Sequence, residues 1–319
     1  MNAPLITIGL PCFNAQDTVE RAIDACLAQH WPNLEVIIVD DASTDRTAHI
    51  IEKRIATDGR ARLVRHARNT GPAGTRNTIL LQSRGEFIAL FDDDDESSPD
   101  RVAEQLRTLT SYEDRTGQSL VACYASGERR YPNGYLKPLP AIGANGIDVP
   151  SGPGVADWLL FYRRNPNWNY GSGVPACALM ARRSTFARVG DFDPALRRVE
   201  DVDFAIRLAL LGAHFVGTSA ALLTQHATNA LDKTPEKNLE AEQLLATKHA
   251  NYLRSVGRYE YAWRWPRLRY WHFKRRYDML FVDALLLMLR NPIVVSSHLL
   301  STAPKRILHE INMRRRLRA

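Results

Sequence analysis

Four consecutive aspartates and a glutamate, Asp92 to Glu96, follow directly on the apolar run Phe87-Ile88-Ala89-Leu90-Phe91. A strand that delivers several like charges to its end sets up mutual repulsion, which raises a carboxyl pKa or recruits a cation. Divalent ions answer that need, and Mg²⁺ in particular takes one or two carboxylates together with substrate phosphates. Asp92-x-Asp94, with Asp95 beside it, is spaced on such a turn to reach a metal both directly and through water, with Asp94 the leading single ligand. A second acidic group, Glu200-Asp201-Val202-Asp203, opens a run in which Phe204, Leu208 and Leu211 form one apolar helix face. Carboxylates in a helix's first turn are favoured in their charged form, and an ionised carboxylate can take a proton from an attacking hydroxyl. Such charges also serve simply to complement a helix end.

Three further groups carry weaker signals. Asp41, in Val39-Asp40-Asp41-Ala42-Ser43-Thr44-Asp45, stands where a strand hands over to a helix and can accept hydrogen bonds from a uracil-type base or a ribose, while Ser43 and Asp45 suit N-caps. In Asn69-Thr70-Gly71-Pro72-Ala73-Gly74-Thr75-Arg76-Asn77 the glycines permit close backbone approach, and Arg76 near a helix start suits either an anionic ligand or a surface role. His226, closing Leu222-Leu223-Thr224-Gln225, is a candidate third metal ligand as neutral imidazole, or a hydrogen-bond partner for a departing diphosphate.

The elements that must position these residues are legible over the first hundred positions. Strands at 5–10, 35–39, 61–66 and 86–91 alternate with helices at about 17–29, 43–55 and 74–83. Repeated βα units with uninterrupted apolar strands predict an α/β fold, with a parallel sheet covered by helices on both faces. Ligands bind such sheets beyond the carboxyl ends of the strands, where Pro11 to Asn14, Asp40-Asp41 and Asp92 to Asp95 all fall. A helix over about 100–113 follows, then a Gly- and Pro-rich stretch at 127–154 that reads as loops. A strand at 174–181 and helices at 182–189, 200–211 and 235–252 complete the pattern. Trp168, with Asn169 and Tyr170, is a candidate for acceptor contacts.

Composition narrows the classes. The 319 residues carry a net charge of +7, but from Trp263 onward thirteen Lys/Arg face three acids, leaving 29 basic against 32 acidic groups before it. The body is therefore no general polyanion binder, and no nucleic-acid-binding fold is expected. Cys12, Cys26, Cys123 and Cys177 lack metal-site spacing and read as buried reduced thiols, which suits a cytoplasmic location. The start, Met1-Asn2-Ala3-Pro4, lacks the features of a secretory signal, and Met279 to Leu289, broken by Asp283, is too short to span a bilayer. The tail interleaves Trp263, Trp265, Tyr270, Trp271, Phe273 and Tyr277 with Arg and Lys and closes on Arg314-Arg315-Arg316-Leu317-Arg318. That pattern suits peripheral attachment to an anionic membrane surface, on the cytoplasmic face, or a helical hairpin packed on the domain or on a second copy in a homo-oligomer.

Taken together, these pieces resemble an inverting glycosyltransferase of family 2, with the GT-A fold. They are Leu10-Pro11-Cys12-Phe13-Asn14, Val39 to Asp45, Gly71 to Asn77, Asp92-x-Asp94-Asp95 with Pro99, Val189-Gly190-Asp191-Phe192-Asp193 and Glu200-Asp201-x-Asp203, covering roughly 4 to 228. The resemblance implies a GT-A domain over 1–230, with a nucleotide-binding half at about 1–100 and an acceptor-binding half at about 101–230, and a helical extension over 231–319. It implies transfer of one sugar, with inversion, from a nucleotide-diphosphate sugar (a UDP-sugar favoured) to a glycan or lipid-linked acceptor, in cell-surface polysaccharide or glycolipid assembly. Asp201 would be the general base and Glu200 would support the acceptor. Asp41 would contact the base, Asp92 the ribose or the metal, and Asp94 the metal, Mn²⁺ or Mg²⁺; Pro11, Asn14, Arg76 and Asp93 complete the donor side. Processive synthases of the family carry Gln-x-x-Arg-Trp and several membrane helices, whereas Trp263-Arg264-Trp265 here lacks the glutamine. A sugar-phosphate nucleotidyltransferase is the competing reaction class, disfavoured because Leu10 to Asn14 is not a glycine-rich phosphate loop. An inactive scaffolding relative is disfavoured by retention of both Asp94 and Asp201.

Overall fold

The computed structural model describes residues 3–227 and 234–300, so the expected 230/231 boundary and the basic closing run lie outside the described residues. The chain divides into two compact units, one built from 3–130, 136–153 and 166–226, the other from 131–135, 154–165 and, beyond position 226, the C-terminal residues.

The first unit follows the expected alternation closely: β1 (Ile6–Cys12), α1 (Val19–Leu27), β2 (Leu34–Asp40), α2 (Thr47–Ile55), β3 (Ala61–Arg65), α3 (Gly71–Gln82) and β4 (Phe87–Leu90). Then come β5 (Glu96–Ser97), α4 (Arg101–Thr116), β6 (Val121–Arg130) and β7 (Leu136–Leu139). After α5 (Pro153–Phe161), which belongs mostly with the second unit, come β8 (Leu179–Arg182), α6 (Arg183–Val189), α7 (Glu200–Leu210) and β9 (His214–His226). The sheet runs β3-β2-β1-β4-β8-β6-β9-β5, with β7 pairing β6. Strands β1 to β4 are parallel, β8 runs antiparallel to β4 and β6, and β6 lies parallel to β9, so the sheet is mixed but mostly parallel. Ile6, Ile8, Leu10, Val36, Ile38, Phe87 and Ala89 are fully or almost fully buried between the helical layers, which is why these strands read as unbroken apolar runs.

The stretch read as loops contains the end of β6 and the whole of β7. β6 turns polar at Glu128-Arg129-Arg130, where no apolar pattern marks it as a strand; it pairs with the adjacent β7 on one side and the distant β9 on the other. A bulge sits at Ser126/Gly127 against β9, where a Cβ on Gly127 would come 2.1 Å from the Leu223 carbonyl oxygen, so only glycine lets β6 and β9 approach. Pro11 also fits its place, since β4 pairs with β1 only as far as Gly9 and the two strands have parted where the proline lacks its N–H.

The second unit is helical, with α8 (Pro235–Lys248), α9 (Ala250–Ser255), α10 (Tyr259–Phe273) and α11 (Tyr277–Arg290). Phe161, Ala246, Leu253, Tyr261, Ala262, Leu287 and Val295 form its core. Asp283, buried on the inner face of α11, accepts hydrogen bonds from Arg267 Nε (2.9 Å) and Trp271 Nε1 (2.7 Å) and so fastens α11 to α10. No helix among the described residues is long and apolar enough to cross a membrane.

Candidate active site

The acidic turn hangs from the end of β4 and is closed by β5, whose Glu96 and Ser97 pair with Thr224 and Leu223 of β9. Beneath it lies Arg101, a residue the sequence reading missed, fully buried among apolar side chains. Its guanidinium donates to the carbonyls of Leu90 (2.8 Å) and Cys177 (2.6 Å), to Ser97 Oγ (2.9 Å) and to Gln105 Oε1 (3.0 Å), and lies 4.1 Å from the Phe91 ring centroid. One buried cation thus anchors the turn from below and ties β4 to the segment preceding β8. The only hint in the sequence is an arginine in the first turn of an otherwise amphipathic helix.

The four aspartates diverge. Asp93 accepts the Phe13 N–H (3.0 Å), and burial, with Asp92 and Asp94 close by, pushes its carboxyl up to about 8. Asp95 is buried, and that burial, together with Asp92 and Asp94, pushes it up to about 7. Asp92, Asp95 and Cys177 bring ligand atoms within 4.8 Å of one another, the only such group among the described residues. The expected set of Asp92, Asp94 and His226 is not gathered. The β5–β9 pairing sets His226 against Glu96, with Nε2 2.8 Å from Oε1, while the Asp94 carbonyl accepts from Arg21 Nη2 at 3.1 Å. Gln225 instead reaches the cluster from β9, donating to Asp95 Oδ2 (3.5 Å) and Cys177 Sγ (3.1 Å). Burial and the two carboxylates push the Cys177 thiol well up, and a soft sulfur suits a hard divalent cation less than the carboxylates beside it do. What remains is a pair of crowded, partly desolvated carboxylates. That donor set fits a hard divalent cation that completes its shell with phosphate oxygens.

Arg76 joins this cluster to the second acidic group. Buried on α3, it donates from Nη1 to Glu200 Oε1 and from Nη2 to Asp92 Oδ1 (3.2 Å). Burial alone would lower its pKa, but Asp92, Glu200 and Asp201 hold it above its ordinary value. The surface reading of Arg76 is therefore replaced by a buried bridge between two carboxylates. Glu200 and Asp201 open α7 behind Val199, whose φ of 59° is a left-handed conformation costly for a β-branched residue, on the order of 1–3 kcal/mol. Burial and then the Glu200 charge push Asp201 up to about 7, against the opposing pull of Arg76. Asp201 lines a cavity of about 240 Å³ with Tyr124, Arg129, Pro175, Leu223 and Gln225. Trp168, paired to Asp148 and tilted against Tyr170 with ring centroids 5.9 Å apart, is not among the lining residues.

The nucleotide-side loops are braced by their own side chains. Asn14, at φ 49°, accepts from Thr44 N (2.9 Å), and its N–H donates to Ser43 Oγ (2.9 Å). Asp41 is buried and accepts from Thr70 N (2.9 Å) and Oγ1 (2.9 Å), from Gly71 N (2.8 Å) and from the His66 ring (2.7 Å). Burial acts to raise its pKa, but these donors outweigh it and hold Asp41 below the usual carboxylate range. Both its oxygens are thus engaged in fixing the start of α3. Phe13, at 47% exposure, is the aromatic face left open at the end of β1, and sequence reasoning passed over it because it carries no charge.

A mixed sheet with the acidic turn at the end of β4 and the carboxylate pair Glu200-Asp201 opening α7 is the GT-A arrangement. Crystal structures of S. aureus TarS 1-349 share that fold, with TM-score 0.53 at 20% identity over 77% of this chain and 65% of that one, and 0.51 over 85% and 73% for its complex with UDP. Residues 7–185 match the profile of Glycosyl transferase family 2, and the succinoglycan biosynthesis protein ExoO of Rhizobium meliloti is 30% identical over 228 residues, 69% of this chain and 60% of ExoO. The chain belongs to glycosyl transferase family 2. The UDP-Glc:alpha-D-GlcNAc-diphosphoundecaprenol beta-1,3-glucosyltransferase WfaP of Escherichia coli is 34% identical over 105 residues, 33% of this chain and 41% of WfaP. Such matches span about half of the relatives' length: 44% of a Haemophilus influenzae glycosyltransferase and 48% of the putative teichuronic acid biosynthesis glycosyltransferase TuaG of Bacillus subtilis.

Proposed function

We propose that this family 2 glycosyltransferase transfers a single sugar from a UDP-sugar to a glycan or lipid-linked acceptor with inversion, with Asp201 as general base. The observation that carries the reading is Asp201 itself, half-buried in the wall of the cavity with its carboxyl pushed up to about 7. A base at that pKa is about half ionised near neutrality and basic enough to matter, which matches the requirement for proton transfer there. In the step, the acceptor oxygen bonds to the anomeric carbon as that carbon's bond to the diphosphate oxygen breaks, and the hydroxyl proton passes to Asp201. A single displacement inverts the anomeric carbon. Glu200 holds Arg76 and raises the basicity of Asp201, and Phe13 offers a stacking face for the base. Asp92 and Asp95 would hold Mn²⁺ or Mg²⁺, which supplies charge stabilisation for the departing diphosphate when bound. UDP in the TarS complex and the UDP-Glc donor in the name of WfaP support the choice of donor. Incubation with a panel of nucleotide-sugars and Mn²⁺ should release nucleoside diphosphate, with the product identified by mass spectrometry. Release of pyrophosphate instead would move the chain to the nucleotidyltransferases.

The second unit supports a peripheral attachment to anionic membrane at the cytoplasmic face. Phe281, Leu285 and Leu289 lie one helical turn apart on α11, with Val282 and Leu286 beside them, all opposite the buried Asp283 and Leu287. Phe281 and Leu289 are 67% and 72% exposed. From Trp263 onward the chain carries thirteen basic residues against three acids, so an anionic bilayer is the complementary occupant. The full chain should float with anionic vesicles and not neutral ones, and Phe281→Ser/Leu285→Ser/Leu289→Ser should abolish flotation. Concentration-dependent dimers that the same triple change dissolves, with no flotation, would assign this face to a second copy.

A further inference from the structure

On the β6–β7 hairpin Arg129 stands directly across from Lys137 in antiparallel register. Like charges in that position repel and destabilise the pairing. Neither is ion-paired among the described residues: Arg129 makes one hydrogen bond, from Nη2 to Gln225 Oε1 (2.7 Å), and Lys137 makes none. Both are half-buried, and burial, with Arg129 opposite, lowers the Lys137 pKa. The alternation of the hairpin puts them on the face of Gly127 and Leu139, which line the cavity, as does Arg129 itself. That cavity also holds Asp201 and Gln225, and Gln225 hydrogen-bonds onward to Asp95. Two facing cations with no counter-ion among the described residues, one of them lining a cavity that contains the candidate base, form an arrangement that an anion would relieve.

Resting on the transferase reading, we propose that Arg129 and Lys137 form an oxyanion site for the acceptor: the accepted sugar carries a phosphate or carboxylate that these two side chains grip while its hydroxyl faces Asp201. An oxyanion on the acceptor rather than on the donor follows from the placement of the pair, since the donor diphosphate belongs with Asp92 and Asp95, and Arg129, with Lys137 opposite it, lines the cavity that holds Asp201. Guanidinium binds either oxyanion through paired N–H donors, and the ammonium adds a point charge.

The test compares kcat/KM of the full chain for three acceptors built on one sugar: a neutral alkyl glycoside, a glycosyl diphosphate with a lipid chain, and a uronate glycoside. The wild type should prefer one anionic acceptor over the neutral one, and which one identifies the source as phosphate or carboxylate. Arg129→Gln and Lys137→Gln should each erode that ratio about tenfold or more, with partial rescue by Arg129→Lys. Equal use of all three acceptors, or a ratio unchanged in Arg129→Gln, overturns the proposal. A donor KM raised equally with every acceptor also overturns it, by assigning the pair to the donor diphosphate. Binding of the glycosyl diphosphate to Asp201→Asn by calorimetry, weakened in Asp201→Asn/Arg129→Gln, is read without turnover. Should no donor be consumed while that binding and its loss persist, the transferase reading fails and the oxyanion site stands.

Discussion

The pH dependence of transfer tests the base assignment most directly. Asp201 ordinarily would titrate at 3.8, but burial and the neighbouring Glu200 carboxylate push it up to about 7. Only the ionised form accepts a proton, so the active fraction falls to about one tenth a unit below the midpoint and about one hundredth two units below it. The profile of kcat/KM for the acceptor should therefore climb about tenfold per unit on the acid side and level off above 7. An aspartate at its ordinary pKa would give a flat profile from pH 5.5 to 8. Glu200→Gln removes one adjacent negative charge and should move the midpoint downward by about one unit, since a like charge at this range contributes shifts of that order. Asp201→Asn should lose about 10²–10⁴-fold in rate while still binding UDP. The assay is initial-rate nucleoside diphosphate release at saturating donor, with UDP binding measured in parallel to separate metal or donor loss from the base. A flat acid limb, a midpoint unmoved by Glu200→Gln, or near-normal turnover in Asp201→Asn would each refute the reasoning. The same raised pKa carries a stability signature. Because the folded value lies above the unfolded one, protonation favours the fold, and that stabilisation is lost as pH rises from the ordinary value through 7. Asp201→Asn should accordingly melt higher than wild type at pH 8 and no higher at pH 4.

Other outcomes follow from the same geometry. Asp41→Ala should cost on the order of 2–3 kcal/mol in denaturant unfolding, because the N–H groups of Thr70 and Gly71 lose their acceptor. Its depressed folded pKa means this contribution is complete above the ordinary carboxylate range and is lost as pH falls through the folded value, so wild type and variant should converge in acid. Arg76→Leu should cost about 3–5 kcal/mol, since it leaves Asp92 and Glu200 without their buried partner, and combining it with Glu200→Gln should recover part of that loss. In Mn²⁺ titrations followed by electron paramagnetic resonance with UDP present, Asp92→Asn and Asp95→Asn should weaken binding more than Asp94→Asn or His226→Ala does; the reverse order would restore the ligand set expected from sequence.

How much was legible depends on whether the signal was local. Strands β1 to β4 and helices α1 to α3 were readable because each buried run is continuous in sequence and bounded by polar turns. The acid cluster and Asp201 were readable because their charge is incongruous where it stands. β6 was hidden because its polar end lacks an apolar pattern and is held as a strand between β7 and β9, the latter ninety residues away, and α5 because it sits among glycines and prolines. Within the cluster, the sequence spacing favoured Asp94, whereas the fold groups Asp95 with Asp92: Gln225 and Cys177 close over it from β9 and from the segment before β8, and neither approach can be inferred from positions 92–96 alone. Asp41 is the opposite case. Its position at a strand end suited a ligand contact, but the backbone that most needed an acceptor was that of Thr70 and Gly71.

Arg76 explains why two acidic groups 108 positions apart (Asp92 and Glu200) can share a rim without mutual repulsion unfolding it. Its two terminal nitrogens are committed to two carboxylates, so moving α7 would break the Glu200 half of the bridge and leave only Asp92 to pair a buried cation. Its Nε–H, however, finds no acceptor among the described residues, and a buried donor left so costs about 1–3 kcal/mol. A fold selected only for stability has cheaper ways to brace a sheet edge, such as an apolar side chain of similar volume. The strained Val199 immediately before Glu200 adds a second cost at the same place. Both penalties fall beside the acidic groups to which the proposed reaction assigns its chemistry, as expected where local rules yield to function.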